Sequence, residues 1–160
     1  MVLHYKLDAS GGSFANPNLL TGNINETNVW TADGVTLTKD DNALKIVDNN
    51  SSYRRIYNNV SNVWTTSGDI FTVSFDARAA TNGQIIQLSR SVADYAPNIT
   101  LTTTWQHYSA QITNTTSVTG GTLSIQSATS SGTFWIKNIK LEKGTIETRF
   151  LFPGETASQI

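Results

Sequence analysis

The sequence predicts an all-β protein, a β-sandwich jelly roll of two antiparallel sheets with about ten strands. Three observations predict it. Short apolar runs recur along the chain with turn signals between them. No stretch carries the apolar stripe of a helix longer than a few turns. Thr, Ser and Asn make up a third of the 160 residues, while Lys, Glu and Ala are sparse, and this mixture favours strands and Asx-rich turns over helices.

The elements follow in order. Residues 1–17, polar and Gly-containing (Asp8-Ala9-Ser10-Gly11-Gly12-Ser13), read as a lead-in or linker, residues 18–145 as the module and residues 146–160 as an exit tail. Inside the module the apolar runs are Leu19–Leu20, Val35–Thr38, Ala43–Val47, Tyr53–Val60 and Ile70–Ala77. Gln84–Leu88, Ile99–Leu101, Trp105–Thr113, Thr122–Gln126 and Phe134–Leu141 complete the set. Asp33-Gly34, Asn82-Gly83 and Gly120-Gly121 supply the positive-φ positions that tight connections need. In the last run Phe134, Ile136, Ile139 and Leu141 keep a two-residue rhythm that slips once at Lys137-Asn138, which predicts a bulge or a change of face.

Alternation assigns the faces. Phe71, Val73, Phe75 and Ala77 point inward, and Thr72, Ser74, Asp76 and Arg78 outward, with Asp76 and Arg78 expected as a solvated pair. Leu123 and Ile125 point inward against Thr122, Ser124 and Gln126, and Tyr108, Ala110 and Ile112 point inward against His107, Ser109 and Gln111. In the Tyr53–Val60 run, Ile56 and Val60 fix the inward face and so align Tyr53, Arg55, Tyr57 and Asn59 on the free one. That mixture suits a sugar, because rings cover the apolar C–H patches of a pyranose while amide and guanidinium groups bond its hydroxyls. The same residues also serve as ordinary cross-strand partners on an exposed sheet. Trp105 and Trp135 lie beside inward residues and read as core or near-core, whereas Trp30 and Trp64 lie in polar, turn-flanked stretches. Trp64 is the better candidate for the rim of a groove, its alternative being a loop anchor folded onto the sandwich.

Composition excludes several functions. A net charge of −1 and a pI near 6.0 leave no basic excess for phosphate neutralisation, so no nucleic-acid partner is expected. No apolar run approaches the roughly 20 residues that span a bilayer, so membrane insertion is not expected. The absence of Cys removes disulfides and thiolate metal sites, and the chain could fold in a reducing cytoplasm and work outside the cell. With two His, no nucleophile motif and no phosphate loop, only carboxylate pairs could do chemistry, and none of the 12 acids is placed for it. No catalytic residue, cofactor or metal ligand is therefore assigned, and His107 is taken as a strand residue with an exposed edge.

Leu19-Leu20, Trp30, the strand Phe71-Thr72-Val73-Ser74-Phe75-Asp76-Ala77-Arg78, Thr104-Trp105-Gln106-His107-Tyr108 and the closing Phe134–Leu141 occur in the order found in one family. Over residues 18–141 the chain resembles family 4/9-type carbohydrate-binding modules, particularly those of bacteriophage tail and baseplate proteins. The resemblance implies non-catalytic binding of an oligosaccharide or polysaccharide in a cleft on one sheet, with Gln126 on the penultimate strand contacting sugar. It adds weight to Tyr53, Arg55 and Tyr57, and brings in Gln87 and Arg90 on the strand after Phe71–Ala77. Such modules often carry an Asp-Asp pair near the last strand that holds a structural calcium; here the pair is Lys137-Asn138, which puts that calcium in doubt. The Leu141-Glu142-Lys143-Gly144 exit toward Phe152-Pro153 resembles that of phage tail modules, implying a place on the virion, contact with other tail proteins and action outside the cell at the host surface. The alternative is a structural or interaction domain of a tail or fibre with no sugar site.

Overall fold

The computed structural model describes residues 15–129 and 131–156. Most of the expected lead-in, residues 1–14, and the last four residues of the expected tail lie outside the described residues. Eleven strands run in chain order: β1 (Thr31–Asp33), β2 (Val35–Asp40), β3 (Ala43–Asp48), β4 (Arg55–Asn59), β5 (Ile70–Ala79) and β6 (Ile85–Arg90). β7 (Asp94–Tyr95), β8 (Ile99–Thr100), β9 (Gln106–Thr113), β10 (Thr122–Ser127) and β11 (Thr133–Lys143) follow. The one helical element among the described residues is a single 3-10 turn, Thr27–Val29. Leu19–Leu20 is not a strand, although the Leu19 amide donates to the Leu141 carbonyl at 2.8 Å. β1 and β7 are strands too short and too polar for alternation to announce.

The strands form two antiparallel sheets, one in the order β1-β4-β10-β6-β7 with β8 also on β6, the other in the order β2-β3-β11-β5-β9. Between them lies one apolar core that includes Leu44, Ile56, Phe71, Phe75, Leu88 and Phe134, all at most 1% exposed. Each such side chain contributes about 1.5–3 kcal/mol by leaving water. The inward sets expected on β5 and β10 are fully buried. On β9 only Ile112 is; Tyr108 and Ala110 are half-buried because this strand is a sheet edge.

The rhythm slip in β11 is a β-bulge: register with β5 shifts between Lys137 and Lys140, and Asn138 takes a left-handed backbone with φ of 55°. The extra residue returns Ile139 and Leu141 to the core and turns Lys140 and Glu142 outward. That outward half is not open, because the segment after Gly144 folds across it. Lys140 and Glu142 are fully buried 3.6 Å apart, and the Lys140 ammonium donates to the Thr148 hydroxyl (2.6 Å) and the Arg149 carbonyl (2.7 Å). Burial pushes the Lys140 ammonium below its ordinary value, against the pull of Glu142. Glu142 also accepts from the Asn16 side-chain amide at 3.1 Å and the Thr148 amide at 3.1 Å, so both ends of the described chain are tied to one strand.

His107 on β9 completes this cover. Its Nδ1–H donates to Asp76 at 2.7 Å and its Nε2–H to Glu147. The Asp76 hydrogen bond, then that of Glu147, holds the imidazolium proton, and the ring is pushed up to about 10. Asp76 is lowered in return, chiefly by His107. The expected Asp76–Arg78 pair does not form. Residues two apart on one strand stand about 7 Å apart, farther than a cross-strand neighbour, so Asp76 finds His107 across the strand pair while Arg78 lies over a tryptophan.

Candidate functional site

The outer face of the six-stranded sheet is organised in cross-strand rows. In one, Asp33, Arg55, Gln126 and Gln87 stand side by side on β1, β4, β10 and β6. In the next, Thr31, Tyr57, Ser124, Ser89 and Tyr95 stand side by side on β1, β4, β10, β6 and β7. Residues directly opposite on neighbouring strands share a face, so the second row has the outline of a groove, two small side chains between two rings. Ser124 and Ser89 are both covered, at 0% exposure, and Tyr57 and Tyr95 stand on either side of them. Three strand spacings separate the rings, about 14 Å.

The polar row beside this groove is partly self-satisfied. The Gln126 amide donates to the Gln87 side-chain oxygen at 3.1 Å, and Arg55 reaches Asp33 at 3.4 Å. The Arg55 guanidinium lies over two rings, 5.4 Å from that of Tyr53 and 5.0 Å from that of Tyr57. The Arg55 Nε and the Ser89 hydroxyl have no hydrogen-bond partner among the described residues. Both atoms are closed to solvent, so a ligand on this face would meet the tyrosine rings and the half-buried Gln126 and Gln87 amides.

Local chemistry sets these positions. Tyr53 precedes β4 and is 59% exposed; its carbonyl passes so close to Gly34 that a Cβ there would stand 1.4 Å from it, and Gly34 takes φ of 69°. Gly34 thus brings the Tyr53 end of β4 against the β1–β2 corner. Tyr95 follows a turn in which Ser91 and Val92 both take left-handed backbone, φ 49° and 52°, an uncommon conformation for a β-branched residue. The Tyr95 hydroxyl donates to the Val92 carbonyl at 2.9 Å, which fixes the ring at the groove wall.

The expected site residues therefore divide. Tyr53, Arg55, Tyr57, Gln126 and Gln87 share the outer face, with exposed Asn59 at its margin opposite Thr122. Arg90 does not share it. It pairs with inward Leu123, is nearly buried, and donates from Nε to Asp94 at 2.7 Å. Burial alone would raise the Asp94 carboxyl, but the Thr115 hydroxyl and amide, and then Arg90, hold it below its usual range. Trp64 is not at a rim either. It is fully buried, 4.5 Å from Phe71 in an edge-to-face pair, so it is the folded-back loop anchor. The Lys137-Asn138 pair does not fit a calcium ion. Lys137 brings a cation, and Asn138 exchanges amide hydrogen bonds with Asn25 (2.8 and 3.0 Å) and donates to Asp76 at 3.1 Å. Among the described residues no three His, Cys, Asp or Glu side chains gather as metal ligands.

Known structures share this architecture. A family 4 carbohydrate-binding module superposes with a TM-score of 0.53 at 15% identity, covering 69% of this chain and 79% of that one. A family 29 carbohydrate-binding module gives 0.54 at 16%, covering 79% and 86%. The N-terminal cellulose-binding domain of Cellulomonas fimi β-1,4-glucanase C gives 0.53 at 16%, covering 76% and 92%. The chain has the fold of carbohydrate-binding modules. No protein-family model matches the sequence, and no curated protein matches it.

Within this carbohydrate-binding-module fold, sequence reasoning missed Tyr95 and exchanged the tryptophans. Trp30 is buried with its indole N–H donating to the Ile24 carbonyl at 2.9 Å, whereas Trp105 is 39% exposed and Trp135 half-buried on the outer face of the five-stranded sheet. Alternation carried the signal for Trp135, which stands between inward Phe134 and Ile136. Nothing in the local sequence marks Tyr95, whose place depends on the turn at Ser91-Val92.

Proposed function

We propose that this chain is a non-catalytic carbohydrate-binding module whose groove across β4, β10, β6 and β7 takes a stretch of a polysaccharide. The observation that carries the reading is the row Tyr57–Ser124–Ser89–Tyr95, two small covered side chains between two rings, flanked by the Arg55–Gln126–Gln87 row. It offers a pyranose chain two stacking faces and a line of planar hydrogen-bonding groups. The fold neighbours support it: one family 29 module was solved in complex with cellulohexaose, at a TM-score of 0.52 to this chain. The setting proposed is a bacteriophage tail or baseplate, where the module acts outside the cell and adheres to host cell-surface or cell-wall polysaccharide beside other tail proteins. That part rests on the resemblance of the Leu141–Gly144 exit and on a fold that needs no disulfide. Single-site affinity in the millimolar to micromolar range, about −4 to −8 kcal/mol, would be multiplied by copies on one particle.

A glycan array of neutral and charged oligosaccharides, followed by titration of the best ligand into Tyr57→Ala and Gln126→Ala variants, tests the proposal. Each variant is expected to weaken binding by about tenfold, the loss of one stacking face or one hydrogen-bonded pair. Unchanged binding in both variants removes the ligand from this groove. Absence of any glycan ligand leaves the tyrosine face as a contact for a neighbouring protein, the interaction-domain reading.

A further inference from the structure

We infer that the outer face of the five-stranded sheet holds a second binding site, for an anionic sugar residue bearing a carboxylate or sulfate, built on Trp105 and Trp135. The inference does not depend on the neutral-sugar groove of the opposite sheet. Lys45, Trp135 and Arg78 stand side by side on β3, β11 and β5, and Trp105 lies beyond Arg78 just before β9. Arg78 lies between the rings, 3.9 Å from the centre of Trp135 and 5.5 Å from that of Trp105. The Lys137 ammonium is 4.4 Å from Trp105 and the Lys45 ammonium 5.6 Å from Trp135. A recess of about 120 Å³ opens among Arg78, Lys137 and the two indoles, bounded by the β2–β3 turn.

Charge distinguishes this cluster from the rest of the surface. Every other Lys and Arg among the described residues lies within ion-pair distance of a carboxylate. Lys45, Arg78 and Lys137 do not, and all three converge on the same two rings. Two of the carboxylates nearby are engaged otherwise. Asp40 accepts from the Trp135 indole N–H at 2.8 Å, which fixes that ring, and Asp76 is committed to His107 and Asn138. Asp41 sits at the left-handed corner of the β2–β3 turn, with φ of 57°, on the rim of the recess. Three cations without partners beside an exposed indole suit a ligand that is both flat and negative: a pyranose ring on Trp105, its carboxylate or sulfate on the Arg78 fork and the Lys137 ammonium. A neutral sugar would leave those donors unused.

Titration of tetragalacturonate, a sulfated tetrasaccharide and neutral cellotetraose into the full-length chain, followed by the indole N–H signals of its four tryptophans, tests this. Tetragalacturonate or the sulfated sugar, whichever carries the preferred anion, is expected to move the Trp105 and Trp135 signals and leave buried Trp30 and Trp64 in place. Lys137→Gln and Trp105→Ala should each weaken that response by about tenfold or more, and added salt should weaken it further. Tyr57→Ala should leave it unchanged, and the Trp30 and Trp64 signals report that each variant is folded. Failure of both anions to move Trp105 and Trp135, or an equal response to cellotetraose, overturns the inference. So does an equal response to a tetraglutamate peptide, which would make this face a contact for acidic protein.

Discussion

The outer faces of the two sheets carry the same kinds of side chain in opposite states. On the six-stranded sheet Arg55 lies over two tyrosines and still reaches Asp33, and the serines in the next row are fully buried. On the five-stranded sheet Arg78 lies over two tryptophans and reaches no carboxylate among the described residues. One face pairs its guanidinium with a carboxylate, and the other leaves three cations outside ion-pair distance of any carboxylate among the described residues. The protein's net charge of −1 does not report this, since it counts charges and not their pairing. Which cations are left unpaired therefore says more about a ligand than the total charge does.

Substitutions can break or sharpen this contrast, and the largest effects lie where a face is closed. Trp64→Ala should cost about 3–5 kcal/mol in urea denaturation, because the loop would leave a cavity against Phe71. Trp105→Ala, on the open part of the five-stranded face, should cost under about 1 kcal/mol. Glu142→Ala should fall in the upper range as well, about 3–5 kcal/mol, because it leaves the Lys140 charge buried and uncovers half of that face. Lys140→Met combined with Glu142→Leu should recover most of that loss in thermal unfolding.

The pH dependence of the five-stranded face is smaller and has a definite sign. His107 is raised from 6.5 to about 10, so its contribution is complete below pH 6.5 and is lost as pH rises toward 10. Asp76 is lowered from 3.8, so its contribution holds above pH 3.8 and is lost as acid protonates it at still lower pH. The wild-type chain should lose under about 1 kcal/mol across the alkaline window, since His107 is nearly half exposed and solvent screens the cluster. His107→Gln should flatten that alkaline limb, and a melting curve at several pH values reads it directly. The smallest effect belongs to the other sheet: Asp33→Ala should change stability by only a few tenths of a kcal/mol, because an exposed ion pair contributes little and the tyrosines still hold Arg55.

Much of the fold was legible in the sequence because alternation is a local property. Phe71, Val73, Phe75 and Ala77 declared their side of β5, and the interruption at Lys137-Asn138 declared the bulge. The site was legible where one strand carried it, as with Arg55 and Tyr57 opposite Ile56. It was not legible where distant segments meet. Arg90 and Gln87 are three residues apart and so cannot share a face, but only the pairing of β6 with β10 tells which of them is outward. Trp30 and Trp64 have polar neighbours and are nonetheless buried, because a loop folding back onto a core leaves no periodic trace. The contact of His107 with Glu147 joins β9 to the segment after the last strand, and no composition rule anticipates it.

The bulge at Asn138 has a consequence for how the chain tolerates change in length. Because β11 carries one extra residue there, removing one residue between Ile136 and Ile139 would leave a plainly alternating strand, with Ile139 and Leu141 still inward, Lys140 and Glu142 still outward and the register with β5 kept. Removing one residue on either side of the bulge would instead reverse the faces of the residues beyond it. The β2–β3 turn, by contrast, could gain or lose residues and alter only the rim beside the tryptophans. Related chains should therefore vary in length around Asp41, and between Phe134 and Leu141 differ by no more than the one bulge residue. What such a shortened strand would forfeit is the tie from Asn138 to Asn25 and Asp76, so the bulge serves to fasten the loop before β1 to this sheet and not to keep the core side chains inward.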